Sequence, residues 1–396
     1  MAVPALRVAI VGLGSAGPAL GVLLSGAGHD VTLYEREADP GPVGAGIWLQ
    51  HLGQQVLDRL GLLDELRAVS RPVSRIEGRT VEGRVVMDFA YDSLPGAVAA
   101  LGVHRGALFG LLHHALEVSA ARIETGVPVT GVCPGADGTV LSGPAGDLGS
   151  FDLVIGADGS RSVVRACMNV TARDRPYEFG ALWTVVDDPD RIAVDQLHQC
   201  LDGTGSYFGV LPTGEHQASI FWSVRMSQAA DVIKNGVPAW REQARRFSGR
   251  YEPLLDQVDS LLPASYRDVV VRTPYRVDGR AAVVLVGDAA HAMSPQLGAG
   301  TSLALADAWG LHHALTSAPT LPAALASYAA DRARHVRWYQ WWTRLMMPVF
   351  QSDLAPLALP RDLLGEPLGR IPWVRRQLVG TLVGDRTSPW SRWELR

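Results

Sequence analysis

Apolar residues fall into three kinds of run along the chain. The first is short, β-branched and bounded by turn residues, at 6–11, 31–34, 153–155 and 282–286. Such runs suit strands buried on both faces, as in a parallel sheet. The second alternates apolar with polar positions, at 75–88 around a Glu82-Gly83 turn, at 179–186 and at 219–225. These predict half-buried, mostly antiparallel strands. The third is helical: a segment reaching about Gly26, then 239–248, 253–262 and 300–315. Trp338, Trp341, Trp342 and Leu345 sit at i, i+3, i+4 and i+7, one face of a late helix. Strands followed by helices place the chain in the α/β class.

Composition narrows this. The 396 residues are 47% hydrophobic and 19% charged, which excludes disorder as the dominant state. The length favours two or three domains. A formal charge of −4 gives no reason to expect nucleic acid as a partner. Cys133, Cys167 and Cys200 are far apart and form no C-x-x-C pair, so neither a zinc ribbon nor a disulfide framework is expected. No metal site is expected either. Only Lys234 is lysine among 36 basic residues. This reads as coding bias, and it warns against treating every Arg as a chosen clamp. The charge-free stretch 8–28 resembles a signal peptide or a membrane span by hydropathy alone. Six glycines between positions 12 and 28, with no charged segment ahead of them, argue against both. A cytoplasmic protein without a transmembrane segment is expected.

Those glycines have a better explanation. The first strand ends in Gly12-Leu13-Gly14-Ser15-Ala16-Gly17, a G-x-G-x-x-G, and the second ends at Glu35. In a strand–turn–helix–strand unit, Gly12 permits the tight turn and Gly14 lets the backbone approach a pyrophosphate. Gly17 lets the helix pack on the strand. The helix start offers free N–H groups to phosphate. Glu35 can accept hydrogen bonds from ribose hydroxyls and would repel a 2′-phosphate, which disfavours NADP at this site. The motif alone does not separate NAD from FAD. Arg36 can lie over an adenine or can be a solvated strand-end Arg, and Gly46 can border the cofactor.

Two later motifs bear on the choice. At 156–159 a strand runs into Gly-Ala-Asp-Gly, with Ser160 or Ser162 as a helix cap. At 287–302 another strand runs into Gly287-Asp288, and Pro295-Gln-Leu-Gly298-Ala299-Gly300-Thr301 then opens a helix. An acid after a strand can bind sugar or ribityl hydroxyls, and a helix start behind a glycine pair can stabilise negative charge on an isoalloxazine edge. Each motif by itself is also compatible with an ordinary αβ turn. Taken in order, with Arg105 on a helix start, the three motifs resemble those of the class A flavoprotein monooxygenases, the para-hydroxybenzoate-hydroxylase-like family. The resemblance spans roughly residues 5 to 345.

That resemblance implies a Rossmann-like FAD-binding domain interleaved with a mostly antiparallel-sheet substrate domain, plus C-terminal helices. The corresponding segments are 1–72, 100–178 and 268–345 for FAD, 73–99 and 179–267 for substrate, and 346–396 as a helical tail. It implies that Gly12, Gly14, Ser15, Ala16 and Gly17 hold the FAD pyrophosphate and Glu35 the adenosine ribose. Arg105 would lie by the phosphate and ribityl region, and Val129, on a strand at 127–132, by the adenine. Asp158 and Gly159 would serve FAD and a passing NADH or NADPH, and Asp288 the ribityl hydroxyls. Pro295 would flank the flavin ring, with Gly298, Ala299, Gly300 and Thr301 at its pyrimidine end.

The implied chemistry is hydride transfer from NAD(P)H to flavin, then reaction with O2 to a C4a-hydroperoxide that inserts one oxygen atom into an aromatic or electron-rich small molecule, in secondary metabolism or aromatic catabolism. No G-x-S-x-G and no H-E-x-x-H supports a hydrolase or a metalloenzyme. If a phenolic substrate needs a base, Tyr207, His198 and His216 are the candidates. Trp183, Phe208, Trp222 and Pro295 are expected to line the substrate pocket, with ordinary sheet core as the alternative for the aromatics. Two other readings stay open: a flavin-dependent reductase or oxidase of the same fold, and a non-catalytic flavin sensor. For the Trp/Arg-rich C-terminal helix the first reading is a cap on the substrate domain. The second is a weak membrane-surface or partner contact, and the third a direct Trp role in stacking on substrate.

Overall fold

A computed structural model of the chain describes residues 3–41 and 44–396. Met1 and Ala2, where the N-terminal stretch begins, lie outside the described residues. The first sheet has six strands in the order Tyr275–Asp278, Ala281–Leu285, Leu153–Gly156, Arg7–Val11, Asp30–Tyr34 and Arg122–Glu124. All neighbours are parallel except the antiparallel edge pair Tyr275–Asp278 and Ala281–Leu285. Ile10 sits beside Leu33 on one side and Ile155 on the other, and Ile155 beside Val284. All four are fully buried. This is why these strands read as continuous apolar runs.

Helices Ala16–Gly26, Arg105–Glu117 and Gly300–Ser317 contribute to the core on one face of this sheet. A three-stranded meander (Gly131–Gly135, Gly138–Gly143, Gly146–Phe151) contributes to the core on the other. Gly12 sits at φ +106°, and a Cβ there would lie 2.6 Å from the Ala157 carbonyl oxygen. A Cβ on Gly17 would collide with the Gly12 carbonyl. Any side chain at either position would push the first helix off its strand.

The second sheet has seven strands in the order Leu262–Ala264, Phe179–Asp187, Gln217–Arg225, Ser206–Gly214, Gln196–Asp202, Arg75–Thr80 and Val85–Ala90. It is antiparallel except where Gln196–Asp202 runs parallel to Arg75–Thr80. Its outer face is covered by helices Met226–Asn235 and Val237–Ser248, whose Trp240 and Phe247 are fully buried. Its inner face looks toward the first sheet. The expected α/β architecture, with a Rossmann-like sheet and a mostly antiparallel one, is therefore present.

Three local expectations fail. The helix expected at 253–262 is a single turn, Glu252–Leu255, and the chain then extends into Leu262–Ala264. The strand expected at 127–132 begins only at Gly131. A tail beginning at 346 has no structural boundary there, because helix Leu321–Phe350 crosses that position unbroken. After it come Ala358–Arg370, Pro372–Val383 and a short hairpin, Arg386–Ser388 with Ser391–Arg392. No helix among the described residues is long and apolar enough to cross a membrane.

Candidate active site

A cavity of about 770 Å³ lies between the sheets. This is toward the upper end for small-molecule sites. Three chain turns far apart in sequence reach it: Gly14 to Ala16, Ala157 with Gly159, and Gly287 with Asp288. Arg105, Gly46, Pro295, Gly298, Gly300 and Thr301 also line it.

This end has unspent polar capacity. Helices Ala16–Gly26 and Gly300–Ser317 both start here, and neither has a side-chain cap. Their first N–H groups point their dipoles at the cavity. Arg105 has no acid partner among the described residues. A Cβ on Gly14 would meet nothing within 4 Å, so the space against that backbone is open. Asp288 is surrounded by protein, yet its carboxylate opens onto the cavity. Burial raises its pKa, opposed by His291 and Arg105. Uncapped helix starts and a lone Arg suit a diphosphate; a carboxylate aimed into the space suits hydroxyls. Those residues fit FAD.

Behind this end runs a buried polar chain. Asp307 accepts from the Gly287 N–H at 2.7 Å and from Arg332 at 2.7 Å, and pairs with His291 Nε2 at 2.6 Å. Arg332 also bonds His335 Nδ1, and His335 Nε2 donates to the Gly384 carbonyl at 2.7 Å. Burial alone would raise Asp307, but His291 and Arg332 outweigh it and hold the carboxyl well below the usual range. Burial, then Arg332, depresses His335. Trp393, just after the C-terminal hairpin, stacks on His335 at 5.3 Å. Gly287 is thus tied through four side chains to the end of the chain.

The other end of the cavity is apolar. Trp183, Phe221 and Tyr207 form an aromatic wall, with ring centroids 5.0 Å and 5.5 Å apart in succession. Phe221 lies over Gly209, where a side chain would collide with its ring. Trp183 Nε1 donates to the Tyr266 hydroxyl at 3.2 Å. Burial pushes the Tyr207 and Tyr266 phenols far up. Neither phenol proton has a protein acceptor among the described residues. Trp342, Met346, Phe350, Leu378 and Leu382 close this end from the C-terminal helices. Arg105 and Asp288, the charged side chains of the lining, are both at the polar end.

Several expected site residues lie elsewhere. Phe208 and Trp222 face the opposite side of the second sheet, packed with Trp240 and Phe247. Phe208 pairs with Trp222 and Gly209 with Phe221 across the same ladder, so one residue of parity separates core from cavity. His198 is on that far face too, against Glu77 at 3.2 Å and Tyr251. His216 is exposed at the turn between Ser206–Gly214 and Gln217–Arg225. Tyr207 does line the cavity, where burial favours its neutral phenol, a hydrogen-bond donor.

At the cofactor end, Arg36 is exposed and paired with Glu37. Val129 is buried against the meander, away from the cavity lining. Ala299 is buried behind its neighbours. The Asp158 carboxylate accepts from the Val163 and Val164 N–H groups at 2.7 and 3.1 Å and caps the following helix. Its other oxygen is buried and unpartnered. Glu35 accepts from the Leu13 N–H at 2.9 Å, which stiffens the glycine turn. Sequence reasoning missed Tyr266, Phe221 and Trp48, whereas Trp342 belongs to the Trp face it did single out. Strand parity carried a signal for Phe221 alone.

Residues 5–340 match the FAD binding domain family. The chain belongs to that family and is an FAD-dependent monooxygenase of class A, with NAD(P)H as the reductant typical of the group. It is 30% identical to the aurachin C monooxygenase/isomerase of Stigmatella aurantiaca, over 99% of this chain and 98% of that one. It is 28% identical to the 2-heptyl-3-hydroxy-4(1H)-quinolone synthase of Pseudomonas aeruginosa, over 98% and 92%. Among solved structures, Klebsiella pneumoniae HpxO complexed with FAD and uric acid superposes with a TM-score of 0.79 at 24% identity, over 96% and 97% of the two chains.

Proposed function

We propose that the substrate is a neutral heteroaromatic ring carrying an apolar side chain, of the alkyl-quinolone type. The observation that carries this reading is the charge-free far end of the cavity. A carboxylate would be desolvated there with no counter-charge, which is strongly unfavourable. A flat neutral ring would stack on the Trp183–Phe221–Tyr207 wall. Its tail would lie along Met346, Leu378 and Leu382. The name of the P. aeruginosa relative, a heptyl-hydroxyquinolone synthase, agrees with this chemistry.

When bound, FAD accepts a hydride from NAD(P)H and activates O2 for insertion of one oxygen atom. The chain's own residues would work as follows. The N–H groups starting at Ser15 and Ala16, with Arg105, hold the diphosphate. Glu35, whose carboxylate already accepts from the Leu13 and Glu37 N–H groups, would take hydroxyls of the adenosine ribose. Asp288 would accept hydrogen bonds from ribityl hydroxyls, and the start of helix Gly300–Ser317 would stabilise negative charge at the ring edge. Pro295 and Gly298 would border that ring; Gly298 at φ +59° lets Trp48 pack to within 2.6 Å of where a Cβ would stand. The second sheet and helix Leu321–Phe350 exclude water from the apolar end. Tyr266, its oxygen already accepting from Trp183, would donate a hydrogen bond to a ring carbonyl, with Tyr207 donating beside it.

The test is NAD(P)H oxidation by the FAD-loaded enzyme against two panels, 2-alkyl-4-quinolones and aromatic carboxylic acids. Stimulation by the neutral alkylated rings is expected. Stimulation by the acids alone would refute the substrate class.

A further inference from the structure

Helix Ala358–Arg370 is turned inside out. Its inward stripe is Arg361, Gly365 and Gly369. Arg361 is buried and donates to the Gly203 and Val349 carbonyls, both at 2.8 Å. Gly365 and Gly369 press on strand Val85–Ala90: a Cβ on the first would collide with the Val86 carbonyl, and one on the second would stand 2.9 Å from the Phe89 ring. The outward stripe is Leu359, Leu363, Leu364 and Leu368, continued by Ile371 and Trp373. Leu359 is 66% exposed and Trp373 57%. A surface helix ordinarily shows the reverse pattern. An apolar face this continuous marks an interaction surface.

Helix Leu321–Phe350 presents a second outward stripe at three- and four-residue spacing: Arg334, Arg337, Trp341 and Leu345. It grades from basic to apolar, and Leu354 beyond it is also exposed. From Arg332 to Arg396 there are 11 Arg against 5 acids, in a chain whose formal charge is −4. Of those acids, Asp362 and Glu366 are neutralised by Arg361 and Arg370 at 2.7 and 2.6 Å. Arg334, Arg337 and Arg376 have no acid partner among the described residues.

We infer that this face docks on an anionic lipid bilayer. Exposed Leu and Ile would enter the headgroup–acyl boundary, Trp341 and Trp373 would sit at the headgroup level, and the Arg residues would meet lipid phosphates. Continuity with the cavity favours lipid over a protein partner. Helix Leu321–Phe350 carries Trp342, Met346 and Phe350 on the cavity side and Pro372–Val383 carries Leu378 and Leu382, while Ala358–Arg370 packs on strand Val85–Ala90, whose Met87 and Phe89 line the same cavity. In Leu321–Phe350 a single helix separates the outer stripe from the cavity, and under Ala358–Arg370 one strand intervenes. The docking does not depend on which substrate the enzyme oxidises.

The test is co-sedimentation of the FAD-loaded full chain with vesicles of phosphatidylcholine alone and of phosphatidylcholine with phosphatidylglycerol, at low and high salt. The bound fraction should rise at least about tenfold on the anionic vesicles and fall with salt. Leu364→Glu/Leu368→Glu should abolish binding while flavin content and circular dichroism stay unchanged. Arg334→Glu/Arg337→Glu, which leaves the Leu face intact, should weaken it on anionic vesicles and serves if the first variant misfolds. No binding to either vesicle, or equal binding by both variants, would overturn the inference. So would a dimer of the parent chain that dissociates in the Leu variant, because the face would then belong to a second copy.

Discussion

In the proposed site, Asp288 and Gly14 would divide the cofactor's grip between a side chain and an absent one. Asp288→Ala removes the carboxylate that opens onto the cavity, and should weaken FAD binding by roughly 1–3 kcal/mol, the loss of hydrogen bonds to hydroxyls. Flavin occupancy of the purified variant, read from its visible absorbance, checks this; full occupancy would contradict it. At the far end, Tyr207→Phe and Tyr266→Phe should each cost about 1 kcal/mol in kcat/KM, roughly fivefold, with FAD content unchanged. Unaltered kcat/KM in both would remove the phenols from substrate binding. Asp307 differs from these, being held by His291, Arg332 and the Gly287 N–H with no face on the cavity. Asp307→Asn should destabilise the fold by about 3–5 kcal/mol in urea denaturation, because Arg332 is left buried without its counter-charge. A loss under about 1 kcal/mol would show that the network is dispensable.

At the scale of elements, legibility depended on period. The buried parallel strands and the glycine turns were readable, because continuous β-branched runs and G-x-G-x-x-G each have one structural solution. The second sheet was readable as strands but not as faces. Both of its faces are apolar, one against helices and one against the cavity, so alternation could not say which of Phe208 and Gly209, or Phe221 and Trp222, looks inward. The two faces should separate under mutation. Trp222→Ala should cost about 3–5 kcal/mol of stability with little change in substrate KM, whereas Phe221→Ala should raise KM. Equal effects of both on KM would mean that the sheet transmits across its thickness. Tyr266 was invisible because it lies in a loop whose position is set by strands far away in sequence. The C-terminal helices were expected as a cap, and Trp342 on the cavity is consistent with that. The exposed Leu stripe of Ala358–Arg370 was not singled out, since a helix with apolar residues outside reads in sequence like one with them inside.

For the molecule as a whole, the polar chain from Gly287 to Gly384 couples the cofactor end to the last hairpin, and it sets a pH response. His335 is buried and its pKa lies well below its ordinary value, so the unfolded chain binds the additional proton. Its contribution to stability is full above the unfolded pKa of about 6.5 and declines as pH falls below it, by up to about 1.4 kcal/mol per pH unit. His335→Gln should flatten the stability profile between neutral pH and mild acid relative to the parent chain. Parallel profiles would contradict the assignment. Asp307 adds nothing to that window, because its depressed pKa makes its contribution fade only in strong acid, below the ordinary carboxylate range.

The most direct measurement follows the oxygen. The FAD-loaded enzyme is given NAD(P)H, a 2-alkyl-4-quinolone and isotopically labelled O2, and the product is weighed by mass spectrometry. One labelled oxygen atom in the ring, formed in proportion to the NAD(P)H consumed, is expected if a neutral ring lies on the Trp183–Phe221–Tyr207 wall beside the flavin. Unlabelled quinolone recovered intact, with hydrogen peroxide accounting for the NAD(P)H, would contradict it.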